Sequence, residues 1–192
     1  MDKIVRYADV ELRSAEGNEP SNVVEGVAVV FDREADLGWF YEKIDRHAFD
    51  NTDMSDVVLN FNHDNNLLLA GTRNGSLMLQ VSDAGLFQRS SIIDTTQGED
   101  VKKLVRSGLI SKMSFSFSIA EGGERWETGA DGKEHRTITD ISRLYDVSLV
   151  TFPAYPQTSA FMRSGDDLAE QHKALMERRA EQDKRMKEIL HV

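Results

Sequence analysis

Lys112-Met113-Ser114-Phe115-Ser116-Phe117-Ser118-Ile119 alternates small hydroxyl residues with large apolar ones without a break. A period of two is the pattern of a β-strand, so Met113, Phe115, Phe117 and Ile119 line one side and Ser114, Ser116 and Ser118 the other. Two readings follow. The strand is half-buried with a solvated hydroxyl face, or one of the hydroxyls is a nucleophile. The strand alone leaves both open.

Outward from this strand the chain reads as mainly β. Immediately before it, Thr96 to Ser107 places Val101, Leu104 and Val105 at helical spacing, with Gly108 in the stop position. Upstream, residues 1 to 14 alternate loosely as a first strand, and Glu16 to Ser21 supply turn chemistry. Val23 to Phe31 is the most β-branched segment, with Gly26 marking a bulge or a close backbone approach. Asp32 to Asp53 is irregular and carries Trp39, Phe40, Tyr41 and Phe49, aromatics that serve packing or binding. Asp56 to Asp64 alternates so that Leu59, Phe61 and His63 share a face, which puts His63 at a strand end. Leu67 to Thr72 and Ser76 to Val81 read as two strands joined by an Asn74-Gly75 hairpin turn. Ser82 to Gly85 forms the next turn and Leu86 to Ile93 the next strand.

Downstream, Glu121 to Glu134 is rich in glycine and charge and reads as an exposed hairpin loop. Thr137 to Leu144 and Tyr145 to Phe152 are two apolar stretches; in the second, Asp146 and Ser148 share the face opposite Val147 and Leu149. Pro153 and Pro156 end it. From Asp166 onward there is neither Gly nor Pro, and Leu168, Leu175, Met176, Met186, Ile189 and Leu190 make a sparse helical stripe. The expectation is an α+β protein with a sheet or barrel core over residues 1–163 and a helical tail over 164–192.

Composition narrows the function. A chain of 192 residues holds one main domain plus an appendage. The formal net charge of -10, with no strong basic patch, argues against nonspecific binding to nucleic acid or anionic membrane. No cysteine is present, so disulfides, thiolate catalysis and cysteine zinc sites are excluded. The first residues lack the apolar run of a signal peptide and no stretch reaches membrane-spanning length, so a soluble intracellular protein is expected. His47, His63 and His135 have no short metal-ligand spacing, and neither the glycine-rich nucleotide motifs nor a Gly-x-Ser-x-Gly elbow occurs. No metal or cofactor is expected.

His63, Ser114 and Asp146 are the polar residues at strand positions that a nucleophilic triad would need. Such triads assemble in space from any chain order. The base must reach the serine hydroxyl, and the acid must hold the imidazole in the right tautomer. Each residue also has a plain structural role open to it, as a strand-end histidine, an edge aspartate or an ordinary serine.

Several motifs, in order, resemble one family: Gly26-Val27-Ala28-Val29-Val30-Phe31-Asp32, Ala48-Phe49, Asn62-His63-Asp64, Gly75-Ser76-Leu77-Met78-Leu79 with Asp83-Ala84-Gly85-Leu86, Met113-Ser114-Phe115-Ser116-Phe117, and Asp146-Val147-Ser148-Leu149-Val150-Thr151-Phe152-Pro153-Ala154. Together they resemble the HK97-type caudovirus prohead serine proteases from about Val24 to Ser159. The resemblance implies that His63 is the catalytic histidine, Ser114 the nucleophile and Asp146 the acidic third member. It also implies a fold similar to herpesvirus assemblins, a β-barrel wrapped by helices. Two positions depart from the family pattern: Arg46-His47 stands where Pro-Gly is frequent, and Ser116 where Gly is common. Ser116 therefore competes with Ser114 for the nucleophile role. The activity implied is cleavage of scaffold, or of a scaffold domain of the major capsid protein, inside the immature shell in the host cytoplasm. Self-cleavage near the 160s, where composition changes, and a dimer by analogy to assemblins are further expectations. An arginine such as Arg143 is a conceivable oxyanion donor beside backbone N–H groups. The alternative is a catalytically inert assembly protein that keeps the fold.

Overall fold

A computed structural model describes residues 4–9, 13–14 and 22–151. Among these are thirteen strands and one helix. In chain order they are β1 (Ile4–Asp9), β2 (Arg13–Ser14), β3 (Val23–Val30), β4 (Ala35–Asp36), β5 (Phe40–Ile44), β6 (Val58–Phe61), β7 (Asp64–Gly71), β8 (Leu77–Ser82), β9 (Gly85–Ser91), α1 (Thr96–Arg106), β10 (Lys112–Ile119), β11 (Glu124–Thr128), β12 (Glu134–Ile138) and β13 (Ile141–Val150). The mainly β expectation is met. The strands pair as one five-stranded sheet, β1-β10-β13-β6-β7, and two four-stranded sheets, β11-β12-β5-β4 and β2-β3-β9-β8. Among the described residues these pairings leave each sheet open, and α1 is the one helix beside them. The 163/164 boundary, the helical tail, the Pro153 and Pro156 stops and the proposed cleavage region lie outside the described residues.

The serine-rich stretch is β10, an interior strand, antiparallel to β1 on one side and to β13 on the other. That position overturns the half-solvated reading. Ser114, Ser116 and Ser118 are all 0% exposed, as buried as the apolar face that carries Met113, Phe115 and Phe117. The apolar face stacks Phe115 on Phe117, with ring centroids 5.1 Å apart. It joins the core that also holds Leu59, Leu144, Val147 and Leu149.

Two irregularities set the polar face. Ser116 pairs with Asp146 but Phe117 pairs with Leu144, so Tyr145 is the extra residue of a bulge in β13. Bulges bend a strand and re-aim its side chains, and they are frequent beside active sites. Here the bulge lets Leu144 and Val147, three residues apart, both reach the core. The second irregularity is in the β6–β7 pair, where the register shifts on both sides of Asn60.

Other sequence expectations are met in part. The α1 helix is capped by Thr95, whose side chain accepts from the Gly98 N–H, and Gly108 follows it at φ 75°. Ser82 to Gly85 closes the β8–β9 hairpin, and a Cβ at Gly85 would lie 2.0 Å from the Val29 carbonyl oxygen, so only glycine fits there. In β3 the bulge falls between Val27 and Val29, whereas Gly26 pairs regularly with Gln88. Residues 1–14 contribute two strands in different sheets, β1 and β2. Asp32 to Asp53 is less irregular than its composition suggests, since β5 runs parallel to β12 within it. The aromatics there divide: Phe49 is buried, Phe40 packs on Trp126 at 5.1 Å, and Trp39 is exposed. Asn74-Gly75 is a turn, with Gly75 at φ 73°, yet it joins β7 of one sheet to β8 of another and makes no hairpin.

Candidate active site

The histidine is placed by backbone conformation. β6 ends at Phe61 and β7 begins at Asp64, with Phe61 paired to Asp64, so Asn62 and His63 are the whole connection. His63 is thus a turn residue, two positions past the end of β6 at Phe61, and not the strand-end residue that alternation suggested. Both central residues have positive φ, 53° and 57°, as a two-residue type I′ hairpin requires. Asparagine and histidine are among the non-glycine residues that tolerate this region. The turn is then tied to β13. The Asn62 N–H donates to the Leu149 carbonyl at 2.9 Å, and the His63 N–H donates to Ser148 Oγ at 2.9 Å. The Asn62 side chain exchanges hydrogen bonds with Thr151, accepting from its N–H at 2.9 Å and donating Nδ2 to its Oγ1 at 3.1 Å. Ser148 in turn donates to the Asn60 carbonyl at 3.2 Å.

The serine and the aspartate are placed by register. Ser114 lies opposite Ser148, and Ser116 opposite Asp146, so all four share one face of the sheet. The turn carries the imidazole over that face. His63 Nδ1 lies 2.6 Å from Asp146 Oδ1, and His63 Nε2 lies 2.5 Å from Ser114 Oγ. An ionised carboxylate only accepts, so Nδ1 carries the proton and Nε2 is left to accept the Ser114 hydroxyl. The structure therefore brings together all three residues singled out in the sequence.

Burial strengthens this line of bonds. Ser114 is 0% and Asp146 1% exposed, and the His63 side chain is 15% exposed. In so poorly hydrated a place a carboxylate must find protein donors. Besides His63, the Ser116 hydroxyl donates to Asp146 Oδ2 in a short contact. Ser118, the third hydroxyl, meets Tyr145 Oη at 2.9 Å. Each serine of the row thus has a distinct polar partner. Sequence reasoning missed the contributions of Asn62, Ser148 and Ser116. The Asn-His pair was a legible signal for a positive-φ turn.

The remaining polar candidates lie elsewhere. His47 is in an exposed turn with Asp50 as its partner at 3.1 Å, and the adjoining Arg46 pairs with Asp32 at 2.7 Å. His135 sits on β12 between Glu34, 2.8 Å away, and Asp131. Arg143 pairs with Ser118, four positions along β10 from Ser114, and its guanidinium lies over the Tyr145 ring, 5.4 Å from the centroid, and 4.0 Å from Asp53. That places its charge with Tyr145 and Asp53, away from the hydroxyl of Ser114. Among the described residues no group of three or more histidine, aspartate or glutamate side chains is arranged to hold a metal ion, and no helix is long and apolar enough to cross a membrane.

Comparison with known proteins adds to this geometry. The family model described as caudovirus prohead serine protease matches residues 8–172. A solved structure of the bacteriophage T4 capsid assembly protease, gp21, is similar over 76% of this chain and 96% of that chain, at 8% sequence identity and a TM-score of 0.46. No curated protein matches the sequence.

Proposed function

The chain belongs to the caudovirus prohead serine protease family, and from that premise we propose that it is a serine endopeptidase whose nucleophile is Ser114, whose base is His63 and whose orienting acid is Asp146. The observation that carries this reading is the continuous line of contacts from Asp146 Oδ1 to His63 Nδ1, 2.6 Å, and from His63 Nε2 to Ser114 Oγ, 2.5 Å. Hydrogen-bond reach between nucleophile, base and orienter is what acyl transfer needs. A catalytically inert assembly protein has no use for this convergence, nor for holding a histidine at positive φ.

The reaction follows from the atoms. Ser114 Oγ attacks the peptide carbonyl carbon while Nε2 takes its proton, and Asp146 stabilises the imidazolium. Nε2 then returns the proton to the departing amine, which leaves Ser114 acylated. Water, deprotonated by the same nitrogen, hydrolyses the ester and regenerates the serine. Asp146 stays ionised throughout and fixes the tautomer.

The proposed substrate is scaffold, or a scaffold domain of the major capsid protein, cut inside the immature phage shell. Self-cleavage near the 160s and a dimeric state belong to the same proposal. Co-expression with the cognate capsid and scaffold proteins tests it. The wild-type chain processes them and itself, read by intact-mass spectrometry, and Ser114→Ala leaves both full length. Processing by Ser114→Ala at the wild-type rate rejects the nucleophile assignment. A full-length wild-type chain in a preparation that processes its substrate rejects self-cleavage.

A further inference from the structure

We propose that Ser116 is a positioning residue for the reaction: its hydroxyl anchors one oxygen of Asp146 so that the other stays on His63 Nδ1. This rests on the triad reading and extends it to a fourth residue.

The argument begins with the carboxylate. The terminal torsion of an aspartate is broad, so a single hydrogen bond to an imidazole does not fix the plane of the group. A second restraint on the other oxygen does. Ser116 supplies it from the directly opposite position in the β10–β13 register, donating Oγ to Asp146 Oδ2 while Oδ1 faces His63 Nδ1 at 2.6 Å. Both residues are buried, at 0% and 1% exposure, so water does not compete and the charge-assisted bond keeps its strength. The bulge at Tyr145 lies next to this pair and leaves Asp146, rather than its neighbour, facing the serine.

The same geometry removes Ser116 as a competing nucleophile. Activation requires a base that accepts the hydroxyl proton and can later deliver it. Both ring nitrogens of His63 are engaged, Nδ1 with Asp146 and Nε2 with Ser114. The Ser116 proton is instead directed to a carboxylate that must remain ionised. A glycine at this place would leave Asp146 Oδ2 without this donor.

The test compares Ser116→Ala, Ser116→Thr and Ser114→Ala in the full chain, using a peptide that spans a mapped cleavage site of the capsid or scaffold substrate. Thermal melting first establishes which variants are folded. Ser116→Ala lowers kcat about ten-fold, the loss expected of one hydrogen bond to a charged group, with KM within about two-fold of wild type. A folded Ser116→Thr keeps the donor and recovers most of kcat. Wild-type kcat in a folded Ser116→Ala, with Ser114→Ala inactive, overturns this inference and leaves the triad standing. Activity in Ser114→Ala overturns the triad itself.

Discussion

His63 occupies a conformation that most side chains avoid, and the site depends on that choice. A non-glycine residue at φ 57° costs about 1–2 kcal/mol against an ordinary conformation, and Asn62 beside it sits at φ 53°. Hydrogen bonds from β13 and Thr151 hold the pair. Asn62→Ala removes a residue suited to positive φ together with its bonds to Thr151. Its predicted cost is about 2 kcal/mol of stability in urea unfolding, accompanied by a loss of kcat larger than any change in KM. Unchanged stability and kcat would show that the turn does not need this asparagine. The three residues of the proposed triad were readable in the sequence because the family motifs carry them. Their environment was not. Alternation in β10 shows which side chains share a face, a local property, but whether that face is wet depends on the distant turn that covers Ser114.

At the scale of elements, the β11–β12 hairpin shows how a charge pair outside the site ties the fold together. His135 on β12 faces Glu34, from the segment before β4, at 2.8 Å. The Glu34 hydrogen bond, more than the opposing desolvation, raises the His135 pKa above its ordinary value. A raised folded-state pKa means that this contribution is fully present below about pH 6.5 and is lost as pH rises through the shifted value. NMR titration of the His135 ring should therefore give a midpoint above 6.5 that falls in Glu34→Gln. Amide exchange in the hairpin should quicken over the same interval. A midpoint at or below the ordinary value contradicts the pairing. The turn between β11 and β12 was legible from its glycine and charge content, but β11, read as part of an exposed loop over Glu121 to Glu134, was not; nor was the parallel neighbour β5, since β5 and β12 are some ninety residues apart and nothing local announces the pairing. The bulge at Tyr145 left a faint trace: Leu144 and Val147 break the alternation on which a single long strand would insist.

Across the whole molecule, the site is assembled from three strands that the topology places side by side. β10 brings Ser114 and Ser116, β13 brings Asp146 and Ser148, and the turn that leaves β6 brings His63. Antiparallel register sets serine against aspartate, and the parallel β13–β6 pair sets Leu149 beside Phe61, so the turn arrives over the serine row. The mainly β class was readable from the density of short alternating runs, but the division of the described strands into three sheets rests on long-range pairing that periodicity does not encode. The central claim is that this assembly activates Ser114 and no other hydroxyl. A serine-directed organophosphorus fluoride applied to the full chain, with the adduct located by peptide mass spectrometry, tests it most directly. A single adduct on Ser114, absent after His63→Ala, is the predicted result; an adduct on Ser116, or equal labelling of Ser114 with and without His63, would contradict it.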